Sequence, residues 1–191
     1  MPKLFDLANM NGFAAFDLED RHLDEWGVAV TDPESQKWLD LHAFTPDWLA
    51  ELRRTRSATF ADAIAANSPQ RFEFVVEDAS GAVAACVQLA GDICPADPKS
   101  FGVEIGYVVH PNFRLRGVAT GMLGALPSWV HSQLGDAHTF GSVCTSNVGS
   151  TAAMHSAGIR HIRDKQPCFG SADQRRHQCA DKEAVFCSGH P

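Results

Sequence analysis

Tyrosine occurs once in this chain of 191 residues, at position 107, and none of the six cysteines stands in a Cys-x-x-Cys spacing. That spacing is what zinc knuckles and dithiol redox motifs use, so its absence argues against both. No apolar run approaches the roughly 18 residues that a membrane-spanning helix needs. The first segment, Met1–Asn11, has no apolar stretch followed by a cleavage site, so no secretory signal is read and a cytoplasmic location is the expectation. In that compartment Cys86, Cys94, Cys144, Cys168, Cys179 and Cys187 read as free thiols. Positive charge is also in short supply: 16 Lys and Arg stand against 23 Asp and Glu, a net charge of −7. A nucleic-acid binder needs a broad basic face and a peripheral membrane protein a polybasic patch, so neither partner is expected. An acidic balance is compatible with a cationic partner.

What is present suits a soluble globule. Hydrophobic residues make up 45% and charged residues 20%, and a chain of this length buries a core without a disulfide or metal staple. It reads as one domain, residues 1–191, in three stretches. Residues 1–68 read as mostly helical, with Asp32-Pro33 and Thr45-Pro46 as helix-start signals. Leu49, Leu52, Phe60 and Ile64 keep a loose helical spacing, and Asn67-Ser68-Pro69 breaks it. Residues 72–162 alternate strands and helices. Phe72–Glu77 and Ala82–Ala90 are strands about the turn Asp78–Gly81, and Gly91–Ser100 reads as a loop. Val103–His110 is a third strand, in which Gly106 suggests a bulge. A helix opens at Gly117 with an apolar stripe from Ala119 to Leu134, and Pro127 is expected to kink it. Thr139–Thr145 is the fourth main strand, and Asn147–Ala157 a short helix. Residues 163–191 complete the C-terminal strands. The class is α/β (α+β), with a mixed sheet flanked by helices.

The segment from Val103 to Thr120 carries the first chemical signal. A strand ends at Pro111, a loop with Arg114 and Arg116 follows, and Gly117 opens a helix. A helix start presents unpaired N–H groups and a positive dipole end, and glycine lets an anion approach the backbone. Physically this is a phosphate cradle. It is not a Walker loop, since Gly-x-x-x-x-Gly-Lys-Ser/Thr is absent. Nor is it a dinucleotide fingerprint, because Gly117, Gly121 and Gly124 have the wrong spacing.

A second segment, Thr145–Ile159, follows the next strand. Here the sequence resembles the GNAT superfamily of N-acetyltransferases. Arg114-x-x-Gly117-x-Ala119 is similar to that family's pyrophosphate signature, and Asn147-x-x-Ser150 followed by Gly158-Ile159 resembles its last major helix. Glu104-Ile105-Gly106-Tyr107 resembles the branch containing the ribosomal-protein N-terminal acetyltransferases, as do Asp32-Pro33-Glu34 and Trp38-Leu39 more faintly. The resemblance implies a mostly antiparallel central sheet splayed between its fourth and fifth strands. It implies acetyl-CoA as co-substrate, a primary amine as acceptor, and no metal. Backbone groups of Tyr107, Val108 and Val109 would meet the pantetheine and thioester. Arg114, Leu115, Arg116, Gly117, Val118, Ala119 and Thr120 would hold the pyrophosphate, and Asn147 the pantetheine arm. An open strand edge offers the donors and acceptors for this, and a donor at the thioester oxygen acts as an oxyanion hole.

The departures bear on catalysis. Where many family members carry a tyrosine, seven residues after the Asn, this chain has Met154; where some carry a glutamate before the Asn it has Ser142. Gly121 replaces an acidic residue usual in the resembled branch, and Ile159 a phenylalanine. Glu104 is the candidate general base, with a solvated or substrate-positioning strand residue as the alternative. Ser150 is the candidate donor to the CoA sulfur, with a backbone-satisfied helix serine as the alternative. His110 and His155 flank the expected cleft, where surface positions are the simpler reading. Cys168, His177, Cys179, Cys187 and His190 lack ligand spacing, so no metal is assigned. Arg53, Arg54 and Arg56 read as a solvated helix face; Trp26, Trp38 and Trp48 read as core or acceptor pocket. No Ser or Cys has a paired His and acid at usable spacing, so the amine would attack the thioester directly. The acceptor class, protein N-terminus or small amine, stays open, as does a homodimer. A CoA-binding sensor without turnover and a nucleotide-phosphate binder are the rival readings.

Overall fold

The computed structural model describes residues 3–38, 51, 71–97, 99–135, 137–165 and 183–188. The helix expected from Pro46 to Ile64, its Asn67–Pro69 break, Trp48, Arg53, Arg54 and Arg56 lie outside these residues, as do Cys168, His177, Cys179 and His190.

Among the described residues eight strands form one sheet, in the order β1-β2-β3-β4-β5-β6-β8-β7. They are β1 Lys3–Asp6, β2 Ala14–Asp17, β3 Arg71–Glu77, β4 Val83–Ile93, β5 Phe101–Val109, β6 His138–Cys144, β7 Arg160–Lys165 and β8 Glu183–Cys187. All neighbours are antiparallel except β5 and β6. The α-helices given in full by the described residues are α1 Leu23–Thr31, α2 Pro33–Gln36, α3 Val118–Leu134 and α4 Val148–Ser156.

Three expectations are corrected: on Gly106, on the loop after β4 and on Cys144. In the N-terminal stretch the described residues 3–38 hold α1 and α2 and also two strands, β1 and β2, that the sequence reading lacks. Each has four residues, too few for a pattern to show; what makes β2 a strand is its ladder with β3, from Ala14↔Glu77 to Asp17↔Phe74. Gly106 makes no bulge: β4 and β5 pair without a slip from Ala85↔Val109 to Ile93↔Phe101, and Gly106 faces Gln88 within that ladder. The same ladder carries β4 to Ile93, so the expected loop Gly91–Ser100 begins three residues later, and it starts β5 at Phe101, two residues before the expected Val103. Finally, Cys144 is disulfide-bonded, whereas Cys86, Cys94 and Cys187 are free thiols, as expected.

The alternation of β3 sorts the two sides of the sheet. Phe72, Phe74 and Val76 face a core with α3, where Met122, Leu123, Leu126 and Val130 are fully buried. Trp129 anchors this layer, its ring 5.3 Å from Phe5 and 6.3 Å from Phe72. The helix runs on through Pro127 to Leu134. On the opposite side Val75, Cys86 and Val108 pack against Leu23, Trp26 and Val30. Trp26 is thus core. A buried polar tie reinforces this second layer: His22 Nε2 lies 2.6 Å from Glu77 Oε1, and the Glu19 N–H donates to His22 Nδ1 at 2.9 Å. With Nδ1 accepting, the proton sits on Nε2 and the ring is neutral. Burial, seconded by Arg21, holds its pKa below the ordinary value, consistent with that form.

The short helix α2 is fixed at both ends of one side chain. Asp32 caps it, accepting from the N–H groups of Glu34 and Ser35 at 3.1 and 3.0 Å, with Pro33 in the first turn. The same carboxylate meets Arg114 Nη2 at 2.5 Å, and that nitrogen also donates to Ser35 Oγ at 2.8 Å. Arg114 holds the Asp32 carboxyl below the usual carboxylate range.

Two pairs of substitutions test this packing. In α1, a Cβ added at Gly27 meets nothing within 4 Å; in α3, one added at Gly121 falls 3.0 Å from the Ala8 carbonyl oxygen and 2.9 Å from Met10 Sδ. Gly27→Ala should therefore stabilise by about 0.5–1 kcal/mol through helix propensity. Gly121→Ala should lose that gain and destabilise by about 1 kcal/mol or more through overpacking. Urea denaturation of both variants reads out the opposite signs. For Asp32, removal of cap and ion pair together (Asp32→Ala) should cost about 1–2 kcal/mol, whereas Asp32→Asn keeps a capping oxygen and should cost less. Because the folded pKa of Asp32 is depressed, its contribution is complete above the ordinary value of 3.8 and fades as pH falls through the folded value. The stability gap between wild type and Asp32→Asn should close in that acid window.

Candidate functional site

A cleft of about 690 Å³ opens where β5 and β6 part. The two strands pair only at Gly102↔His138, Val103↔Thr139 and Glu104↔Phe140. Beyond Glu104 the edge of β5 that faces β6 has no ladder partner. The splay implied between the family's fourth and fifth strands thus falls, in this chain, between β5 and β6.

Each wall follows from local sequence. Gly117 is the N-cap of α3, with φ +82°, a left-handed conformation that glycine adopts without strain. It offers no side-chain cap, and no acidic residue stands in the first turn. The N–H groups of Val118, Ala119 and Thr120 therefore open into the cleft with the positive end of the helix dipole. Leu115, in the preceding loop, also has positive φ, +59°, and is fully exposed. Across the gap Asn147 caps α4, its Oδ1 accepting from the Ser150 N–H at 3.1 Å. Tyr107 reaches over from β5, and its Oη donates to Ser150 Oγ at 3.0 Å. Burial raises the Tyr107 pKa above its ordinary value, so the phenol keeps its proton at neutral pH.

Of the residues singled out in the sequence, Tyr107, Val109, Arg114, Leu115, Gly117, Val118, Ala119, Thr120, Asn147 and Ser150 line this one cleft. Val108 points its side chain to the opposite core, against α1. Arg116 does not line the cleft; its guanidinium lies over the Phe113 ring at 5.4 Å. Arg114 lines the wall but is engaged with Asp32 and Ser35 rather than presenting a free charge. Glu104 sits on the same strand face as Gly106 and Val108, away from the cleft, at the last paired position before the strands separate. His110 is buried and caps the turn Pro111–Phe113; its Nε2 stands 3.0 Å from Glu25 Oε2. His155 is exposed on α4, its ring 5.1 Å from Phe186. Neither histidine lines the cleft.

Sequence patterns did not single out Ser35 and Glu34 as wall residues, nor settle Trp38 between core and pocket; all three line the cleft. The Asp32–Arg114 tie carries α2 there, and its partners are 82 residues apart in sequence. Met154, which stands where the family often has tyrosine, is buried and packs on Gly141. A Cβ at Gly141 would meet its Cε at 2.8 Å, beside the Ile105 carbonyl. The methionine fills the apex of the splay and is no proton donor. Among the described residues no group of three His, Cys, Asp or Glu side chains is arranged to hold a metal ion, and no helix is long and apolar enough to cross a membrane.

The arrangement suits a long anionic ligand: main-chain donors at one end, an open strand edge along its length, and hydroxyl groups at the far wall. A family model described as Acetyltransferase (GNAT) domain matches residues 15–160. No curated protein matches the chain. Among solved structures, a ribosomal-protein-S5-alanine acetyltransferase from Vibrio fischeri shares 12% identity over 95% of this chain and 94% of its own, with a TM-score of 0.67. A spermidine N-acetyltransferase from Vibrio cholerae, in complex with CoA and spermine, shares 14% over 93% and 94%, with a TM-score of 0.67. An aminoglycoside N(6')-acetyltransferase from Legionella pneumophila shares 13% over 94% and 93%, with a TM-score of 0.61. At such identities the likeness is one of fold, and with the family match over most of its length the chain belongs to the GNAT acetyltransferases and is an acyltransferase of that type.

Proposed function

We propose that the protein transfers an acetyl group from acetyl-CoA to a primary amine, by direct attack of the amine on the thioester. The observation that carries this reading is the parting of β5 and β6 after three pairs, with the uncapped first turn of α3 opening into the gap. The first-turn amides from Val118 to Thr120, with the loop from Arg114 to Gly117, would hold the pyrophosphate. The unpaired β5 edge from Tyr107 to Val109 would take the pantetheine and the thioester carbonyl, where a backbone N–H stabilises the developing oxyanion. Asn147 has its oxygen committed to the α4 cap, so its amide NH₂ is the group for the pantetheine arm.

The amine arrives protonated and must lose a proton before it attacks. Glu104 is suited by place: it stands at the fork, on the strand face opposite α3, so an acceptor on that side would reach the thioester through the gap. Ser150, on the cleft side, would hand a proton to the departing sulfur. The structural neighbours named for a ribosomal-protein alanine, spermidine or an aminoglycoside are consistent with an amine acceptor; a screen of N-terminal peptides against small amines separates the two acceptor classes.

Isothermal titration with CoA and a thiol-release assay over an amine panel test the reading. Gly117→Glu places an anion in the cradle and should abolish CoA binding. Gly117→Ala carries the same left-handed strain, about 1–2 kcal/mol, without the charge, and should retain binding, since a Cβ there meets only Met10 Sδ at 3.9 Å. Wild-type affinity in a folded Gly117→Glu protein would place the ligand elsewhere, and CoA binding without thiol release would mark a CoA-binding module rather than an enzyme.

Glu104→Gln should leave CoA affinity intact and lower kcat by about 10²–10⁴-fold, the usual scale of a general base. The acidic limb of the wild-type pH–rate profile should vanish in that variant. A raised acceptor KM with unchanged kcat would instead make Glu104 a steering group.

A further inference from the structure

The one tyrosine of the chain is not where the family resemblance looks for it, yet it reaches the same cleft. Tyr107 rises from β5 and Ser150 from the first turn of α4, and their hydroxyl oxygens are 3.0 Å apart across the gap between the splayed strands. Ser150 is held from its other side, since its backbone N–H is bonded to the Asn147 cap. A serine hydroxyl has one proton and two lone pairs. With one lone pair taken by Tyr107, its own proton is left to point at a third group, and both residues line the cleft in which a ligand would lie.

We propose that Tyr107 supplies, through Ser150, the proton taken up by the departing CoA thiolate. The inference rests on the acetyl-transfer reading above and adds the origin of the leaving-group proton. As the amine nitrogen forms its bond to the acetyl carbon, the carbon–sulfur bond breaks and its electron pair stays on sulfur. The sulfur takes the Ser150 proton, the Ser150 oxygen takes the Tyr107 proton, and the tyrosinate regains one from water. The ammonium loses two protons through its base, one before attack and one as the adduct collapses, and the tyrosinate takes one back from solvent, so the sum is amide, free CoA thiol and one proton released. Burial keeps the phenol protonated at neutral pH, as a proton source must be. Met154, buried at the apex, leaves no competing donor at the position where relatives carry one.

Because Tyr107 acts through Ser150, the test must separate a relay from a strut that merely bridges two strands. Steady-state kinetics over pH on Tyr107→Phe, Ser150→Ala, Ser150→Thr and the Tyr107→Phe/Ser150→Ala double variant, with CoA titrations on each, do so. A relay predicts kcat lowered about 10²-fold in each of Tyr107→Phe and Ser150→Ala, and no further in the double variant. It predicts CoA affinity within about threefold of wild type, turnover restored by Ser150→Thr, and loss of the alkaline limb of the wild-type profile in Tyr107→Phe. Losses that multiply in the double variant, CoA affinity that falls with kcat, or unchanged turnover in Tyr107→Phe would overturn the relay while leaving acetyl transfer standing. Should Tyr107→Phe fail to fold, the Ser150→Ala and Ser150→Thr pair decides by whether the hydroxyl alone restores turnover. A wild-type protein that binds CoA yet releases no thiol with any amine would overturn both.

Discussion

Parallel pairing between β5 and β6 lasts three residues and then stops at Glu104↔Phe140, and the rest of the site depends on that stop. A strand inside a sheet has both edges consumed; one that loses its neighbour halfway along keeps a row of donors and acceptors on one side. The other edge of β5 remains in an unbroken ladder with β4, so the exposed row is held rigid. Rigidity and free valence are normally in conflict in a backbone, and the splay supplies both at one place.

The two helices beyond the split are aimed by it. Each begins at the cleft, and each begins with a residue whose chemistry fits the start of a helix: Gly117 at α3, in a left-handed conformation, and Asn147 at α4, through its side-chain oxygen. The first leaves main-chain donors open, and the second spends its oxygen on capping and so fixes Ser150. The packing behind them is apolar and tight. Met154 lies on Gly141 at the apex, and Trp129 locks α3 onto the phenylalanines of β1 and β3. Interior packing at this density transmits the position of one element to the next, which is how a site made from four separate segments keeps its shape.

The departure at position 154 is thereby given a physical account. A methionine there serves the core, and the only phenol of the chain enters the cleft from the neighbouring strand instead. Equally, Arg114, which matches the family's pyrophosphate signature, is engaged by Asp32 and Ser35. Its charge fastens α2 to the rim of the cleft, and the main-chain N–H groups of the α3 turn are left without a side-chain cap.

What the sequence by itself determined lies within a few residues of each signal. Gly117 opening a helix, Asn147 capping one, Asp32-Pro33 starting another, and the alternation of β3 and β5 are all set by propensity, capping and periodicity, which act over about one turn or a few strand residues. What the tertiary structure alone decided involves partners far apart in the chain. The Tyr107–Ser150 hydrogen bond joins residues 43 apart and the Arg114–Asp32 pair residues 82 apart. β2 exists because β3 offers it a ladder, and β1 because β2 does, not because four residues favour extension. The unbroken pairing at Gly106 was set by Gln88 across the ladder. The disulfide at Cys144 likewise requires a second chain segment to be brought to it. Such pairings carry no local pattern, because the free energy that selects them comes from burial and hydrogen bonding with segments that only the folded chain brings near.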